Sequence, residues 1–67
     1  MAKKDMKMAK RLKTRRFFMG KTQAEVATRI GVSTAAYSQY ESGMRPRDDI
    51  KVKLADYFGM TVQDLFF

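Results

Sequence analysis

Ser33, Thr34, Ala35, Ser38 and Gln39 fall along one side of a short helix if the segment after Gly31 is helical, and their chemistry is recognition rather than bond-making. A Gln amide can pair with adenine through N6 and N7. Ser and Thr hydroxyls can bond either kind of base edge, and Ala35 or the Thr34 methyl can touch a thymine methyl. This side is small and polar where the opposite side carries Tyr37 and Tyr40, so it can enter a major groove without steric conflict. An ordinary solvated helix face is the competing reading, and the paired alanines fit it less well than they fit close approach to bases. Chemistry that makes bonds has little to work with. The chain has no His and no Cys, which removes the commonest general base, the commonest metal ligands and any disulfide. Carboxylates are few and dispersed, no nucleophile pairs with a base, and no Gly-rich phosphate loop follows a strand. The expectation is no enzyme, no metal, no cofactor and no small-molecule ligand.

These residues need elements to hold them, and the sequence predicts five helices punctuated by four Gly and one Pro. The first runs from about Asp5 to Met19 and stops at Gly20; its apolar line is Met8, Leu12 and Met19 with Phe17 or Phe18, which cannot both face inward. The second opens on Thr22-Gln-Ala-Glu25, a capping box, turns Val26, Ala27 and Ile30 inward and ends at Gly31. Ser33 is a good N-cap two residues on, so the third helix, to about Glu41, follows after a tight turn in which Gly31 accepts a positive φ. Asp48-Asp49 favour a helix N-terminus, with Ile50, Leu54, Tyr57 and Phe58 on one face and Gly59 closing it. Thr61 caps a last turn in which Val62, Leu65 and Phe66 form an i, i+3, i+4 stripe, with Asp64 in the box position. No segment alternates like a strand. The fold class is therefore all-α, one compact five-helix domain over 1–67, with a basic arm at 1–7, a helix-turn-helix at 22–43 and a possible dimerisation segment at 60–67.

Charge points the same way without deciding it. Net charge is +7, and residues 1–21 hold nine Lys or Arg against Asp5 alone, whereas 22–67 are weakly acidic. Nucleic acid, an acidic protein or an anionic membrane surface could each answer such a field, and Lys3, Lys4 and Lys7 could equally be a solvated arm. The start never reaches the apolar run of a signal peptide and no stretch approaches a membrane span, so a soluble, cytoplasmic protein is expected.

Thr22-Gln23-Ala-Glu25-Val-Ala27, Gly31-Val32-Ser33, Tyr40-Glu41-Ser42-Gly43 and Leu54-Ala55-Asp-Tyr-Phe58-Gly59-Met-Thr61-Val, in that order, make the chain resemble the Cro/C1-type helix-turn-helix family of phage repressors and small bacterial regulators, from Lys13 to Phe66. The resemblance implies the five-helix lambda-repressor-like fold and sequence-specific binding of double-stranded DNA. It implies base contacts at Thr34, Ala35, Ser38 and Gln39 and phosphate contacts at Gln23 and Ser33, as caps of the second and third helices. It also implies a structural ion pair between Arg16 and Glu41. Arg15 and Lys21 occupy positions often apolar in the family, so their stems are expected along the core and their charges toward solvent or phosphate. The loop from Gly43 to Pro46 is a residue shorter than the common pattern, and Arg45 and Arg47 beside it are further candidates for phosphate. Two terminal Phe residues exceed what one small core needs, so a homodimer on a palindromic site is expected, with the fifth helix and Phe66 or Phe67 near the two-fold axis. Two other classes stay open: an antitoxin or similar protein-interaction module on the same fold, and a peripheral membrane helix over 3–18.

Overall fold

The computed structural model describes residues 4–67 and contains, among them, five helices and no strand: α1 Met6–Phe18, α2 Gln23–Ile30, α3 Thr34–Tyr40, α4 Asp48–Phe58 and α5 Val62–Phe66. Met1, Ala2 and Lys3 of the basic arm lie outside the described residues. Four of the five helices begin with a side-chain cap where the sequence offered a short polar residue. Asp5 Oδ1 accepts from the Met8 amide, Thr22 Oγ1 from Glu25, Ser33 Oγ from Ala36 and Thr61 Oγ1 from Asp64. The box at Thr22 is closed in both directions, since Glu25 also accepts from the Thr22 amide at 3.0 Å. Each such cap satisfies donors that the first turn would otherwise leave unpaired. α4 starts instead at Arg47 without a side-chain cap, with Asp48 and Asp49 in its positive first turn.

Buried side chains from all five helices meet in one core: Met8 and Leu12 of α1, Val26, Ala27 and Ile30 of α2, Tyr37 of α3, Ile50, Leu54, Ala55 and Phe58 of α4, and Leu65 and Phe66 of α5. Val32, Tyr40, Tyr57, Met60 and Val62 pack around it, half-buried. Gly31 ends α2 in the left-handed region at φ 77°, and the Val32 amide returns to the Ala27 carbonyl at 3.0 Å. This tight closure leaves only Val32 between the glycine and the α3 cap, so the turn itself sets how α2 and α3 cross.

The end of α1 departs from the predicted apolar line. Phe17, Phe18 and Met19 are all exposed, Phe18 at 77%, and the buried stripe Met8–Leu12 is completed by Arg16. The reason is geometric: Arg16 is the next i+4 position, whereas α1 has ended by Met19, which caps it just before Gly20 reverses the chain at φ 67°. Neither Phe reaches the core margin; each stacks on a cation, Phe17 with Arg16 Cζ at 4.8 Å from its ring centre and Phe18 with Arg15 at 5.8 Å. At the other end of the chain the two terminal aromatics separate. Phe66 folds into the core at 4% exposure and only Phe67, at 70%, faces outward.

Candidate nucleic-acid interface

α3 is pinned by its back. Tyr37 is fully buried and Tyr40 half-buried, their rings edge to face at 6.2 Å. The front is open: Ser33, Thr34, Ala35 and Gln39 are exposed and Ser38 is half-buried, so the five residues expected to recognise bases or the adjoining phosphate do share one surface. Ser33 is the α3 cap; because its oxygen accepts from Ala36, its hydroxyl proton stays available to an acceptor outside the domain. Gln23 differs in one respect from the expectation. Thr22 holds the cap position of α2, and Gln23 is the first helical residue.

Gln23 belongs to a polar joint that ties three elements together. Arg16 Nε and Nη2 donate to the two Glu41 oxygens at 2.6 and 3.1 Å, Arg16 Nη1 donates to the Lys21 carbonyl at 2.9 Å, and Gln23 Nε2 donates to Glu41 Oε1 at 3.1 Å. The pair is sealed, with side-chain exposures of 10% for Arg16 and 4% for Glu41, and the Phe17 ring lies over the guanidinium. α1, the segment entering α2, and the C-terminal cap of α3 are thereby fixed on one carboxylate. Burial alone would push the Glu41 carboxyl up; the bonds from Arg16 and Gln23, the facing Tyr37 hydroxyl and the Arg16 charge outweigh it and hold the carboxyl below its ordinary value. Burial first, and the Glu41 carboxylate after it, push the Tyr37 phenol well above its usual value. The Tyr37 hydroxyl faces this pair without a hydrogen bond of ordinary geometry among the described residues.

The remaining cations distribute unequally. Lys21 is exposed beside Gln23, its side chain free of ion pairs among the described residues. Arg45 is held by Asp5 Oδ2 at 3.0 Å, and Arg47 lies 3.4 Å from Asp49, both pairs on the surface. Arg15 points elsewhere: its Nη2 donates to the Phe58 carbonyl at the end of α4, so it is not brought together with the α3 surface. Asp5 is the residue that reading the sequence missed. Its side chain caps α1 and binds Arg45, and its amide donates to the Gly43 carbonyl at 2.8 Å, fastening the base of the basic arm to the segment that follows α3. An acid three residues before Met8 at a helix start is a cap signal, and it was available in the sequence.

A short helix that shows small hydrogen-bonding groups outward, held at a fixed angle by a preceding helix and a glycine turn, defines a helix-turn-helix DNA-binding domain. Residues 19–65 match the helix-turn-helix family. The chain is also 39% identical over 61 residues to the cryptic phage CTXphi transcriptional repressor RstR of Vibrio cholerae serotype O1 (strain ATCC 39315 / El Tor Inaba N16961). That alignment covers 90% of this chain and 54% of the relative, so the chain spans about half the length of the curated relative it matches. The chain belongs to the Cro/C1-type helix-turn-helix family, a family of DNA-binding transcriptional regulators and not of enzymes. Among the described residues no helix is long and apolar enough to cross a membrane.

Proposed function

We propose that the protein is a sequence-specific repressor that inserts α3 into the major groove of a palindromic operator. Thr34, Ala35, Ser38 and Gln39 read base edges, while Ser33, Gln23 and Lys21 hold the flanking phosphates. Arg45 and Arg47 join them by exchanging surface carboxylates for phosphates, and Arg15, anchored on the Phe58 carbonyl, contributes field rather than a contact. One observation carries this reading: the outer side of α3 presents the hydrogen-bonding groups of Ser33, Thr34, Ser38 and Gln39 with the small methyl of Ala35 among them, while its other side is locked by Tyr37. One such helix reaches only a few base pairs. Two copies related by a two-fold axis, with half-sites about 34 to 36 Å apart, supply the missing affinity; α5 and Phe67, the terminal aromatic that is exposed, lie near that axis in this reading. The site of action is the cytoplasm. Selection of bound sites from random duplexes tests the reading: Gln39→Ala should lose about 1 to 3 kcal/mol at the preferred site while nonspecific binding hardly changes. An unaltered base preference in that variant would remove Gln39 from the recognition surface.

A further inference from the structure

α1 carries a second cationic surface that the recognition unit does not use. Lys7, Lys10, Arg11 and Thr14 follow one another at helical spacing along its outer side, and with Arg15 and Met60 they line a cleft of about 370 Å³. No residue of α2 or α3 contributes to it. Lys7 and Lys10 are exposed, Arg11 is half-buried, and none of the three makes an ion pair among the described residues, although Asp5 stands one turn away. The floor is different in character. Met60, half-buried in the joint between α4 and α5, and the aliphatic stems of the basic residues present apolar surface beneath the charged rim.

This combination selects among possible occupants. A DNA backbone would answer the charge but leave the apolar floor uncovered. A second copy of this chain placed symmetrically would bring the same cations face to face at a cost in repulsion. We infer that the α1 cleft, with Lys7, Lys10 and Arg11 on its rim and Met60 in its floor, is a docking site for an acidic amphipathic protein segment, one that sets carboxylates against the rim and apolar side chains into the cleft. The site is separate from the α3 surface, so the segment binds the protein on or off DNA and provides a route by which a protein partner engages the regulator.

The probe is a synthetic helical peptide with Glu along one side and Leu and Phe along the other, labelled for fluorescence anisotropy and titrated with the full chain. Binding to wild type should weaken about tenfold in Lys7→Glu/Lys10→Glu, since each exposed charge contact is reversed rather than merely lost. A peptide of the same charge with Gln in place of Leu and Phe should bind about tenfold more weakly than the parent, because it has nothing to bury on Met60. A duplex saturating the α3 surface should leave the peptide bound. Three results overturn the inference: unchanged affinity in the double variant whose melting temperature matches wild type, equal binding of the Gln-substituted peptide, or stoichiometric displacement of the peptide by duplex. Anionic phosphatidylserine vesicles that bind wild type better than the peptide, and lose binding in the same variant, would assign the stripe to a membrane surface instead.

Discussion

Replacing Glu41 with Ala removes the acceptor of three hydrogen bonds at once, two from Arg16 and one from Gln23, and leaves a guanidinium whose side chain is only 10% exposed facing an apolar methyl. The Lys21 carbonyl still receives Nη1 of Arg16, but Nε and Nη2 lose their partner. Breaking a buried pair from one side costs about 3 to 5 kcal/mol, because the stranded charge keeps its desolvation penalty and loses its compensation. In a domain this size each kcal/mol moves the melting temperature by about 4 to 8 °C, so a loss of at least ~12 °C is expected, and a stability of only about 5 to 15 kcal/mol leaves little margin. Ser42→Ala is the control, since Ser42 is exposed and, among the described residues, its hydroxyl donates only to the Ser38 carbonyl. Circular dichroism melts of both variants at neutral pH decide the matter. Glu41→Gln, which keeps the shape and one acceptor, should melt between Glu41→Ala and wild type, and Arg16→Met/Glu41→Leu should recover much of the loss by removing both charges. The pH dependence supplies a second readout. Because the folded Glu41 carboxyl is held below its ordinary value, its contribution is present above the unfolded value and disappears as pH falls through the folded one. Asp5, held down chiefly by the Met8 amide, and Glu25, by the Thr22 amide, act in the same direction. Wild type should therefore lose stability on acidification below the usual carboxylate range, and Glu41→Gln should show a shallower slope. Melting temperatures equal to that of Ser42→Ala, with an unchanged acid slope, would refute the buried joint.

Gly43 should tolerate Ala less well than Gly31. Both have positive φ, at 109° and 77°, but a Cβ on Gly43 would lie 2.7 Å from Lys4 Cβ and 3.3 Å from the Asp5 amide nitrogen, whereas one on Gly31 meets nothing within 4 Å. Gly31→Ala should cost about 1 to 2 kcal/mol in chemical denaturation, and equal costs at both sites would mean that the arm does not pack there. Phe66→Ala should destabilise by about 3 to 5 kcal/mol and Phe67→Ala by less than ~0.5, read by urea titration, in keeping with their opposite exposure. Affinity for DNA should fall steeply with salt, and deleting residues 1–4 should weaken specific and nonspecific binding alike. A deletion that changed base preference alone, in competition against random duplexes, would contradict an electrostatic arm.

Much of the architecture was legible because it rests on local rules. Thr22 with Glu25, Ser33 and Thr61 mark helix starts through bonds spanning three residues, and Gly31 marks the turn through its own backbone freedom. The outward row from Thr34 to Gln39 follows in the same way, since helical spacing alone separates it from Tyr37. What the sequence left open depends on partners far along the chain. Phe17 and Phe18 look like core by type, yet the stripe of α1 that reaches the interior ends on Arg16; the resemblance implied its pair with Glu41, 25 residues away, but helical spacing within α1 gave no sign that this charge and neither ring would turn inward. Arg15 and Arg45 were both candidates for phosphate in the sequence. Packing sends one to the Phe58 carbonyl and the other to Asp5, 43 and 40 residues distant. Phe66 and Phe67 are adjacent and identical, and only the position of α5 against the core, with one side of a five-residue helix turned inward, buries the first and exposes the second. Short-range hydrogen bonds and helical period are written in neighbouring residues; which charge is buried and which aromatic is free is decided by closure of the core.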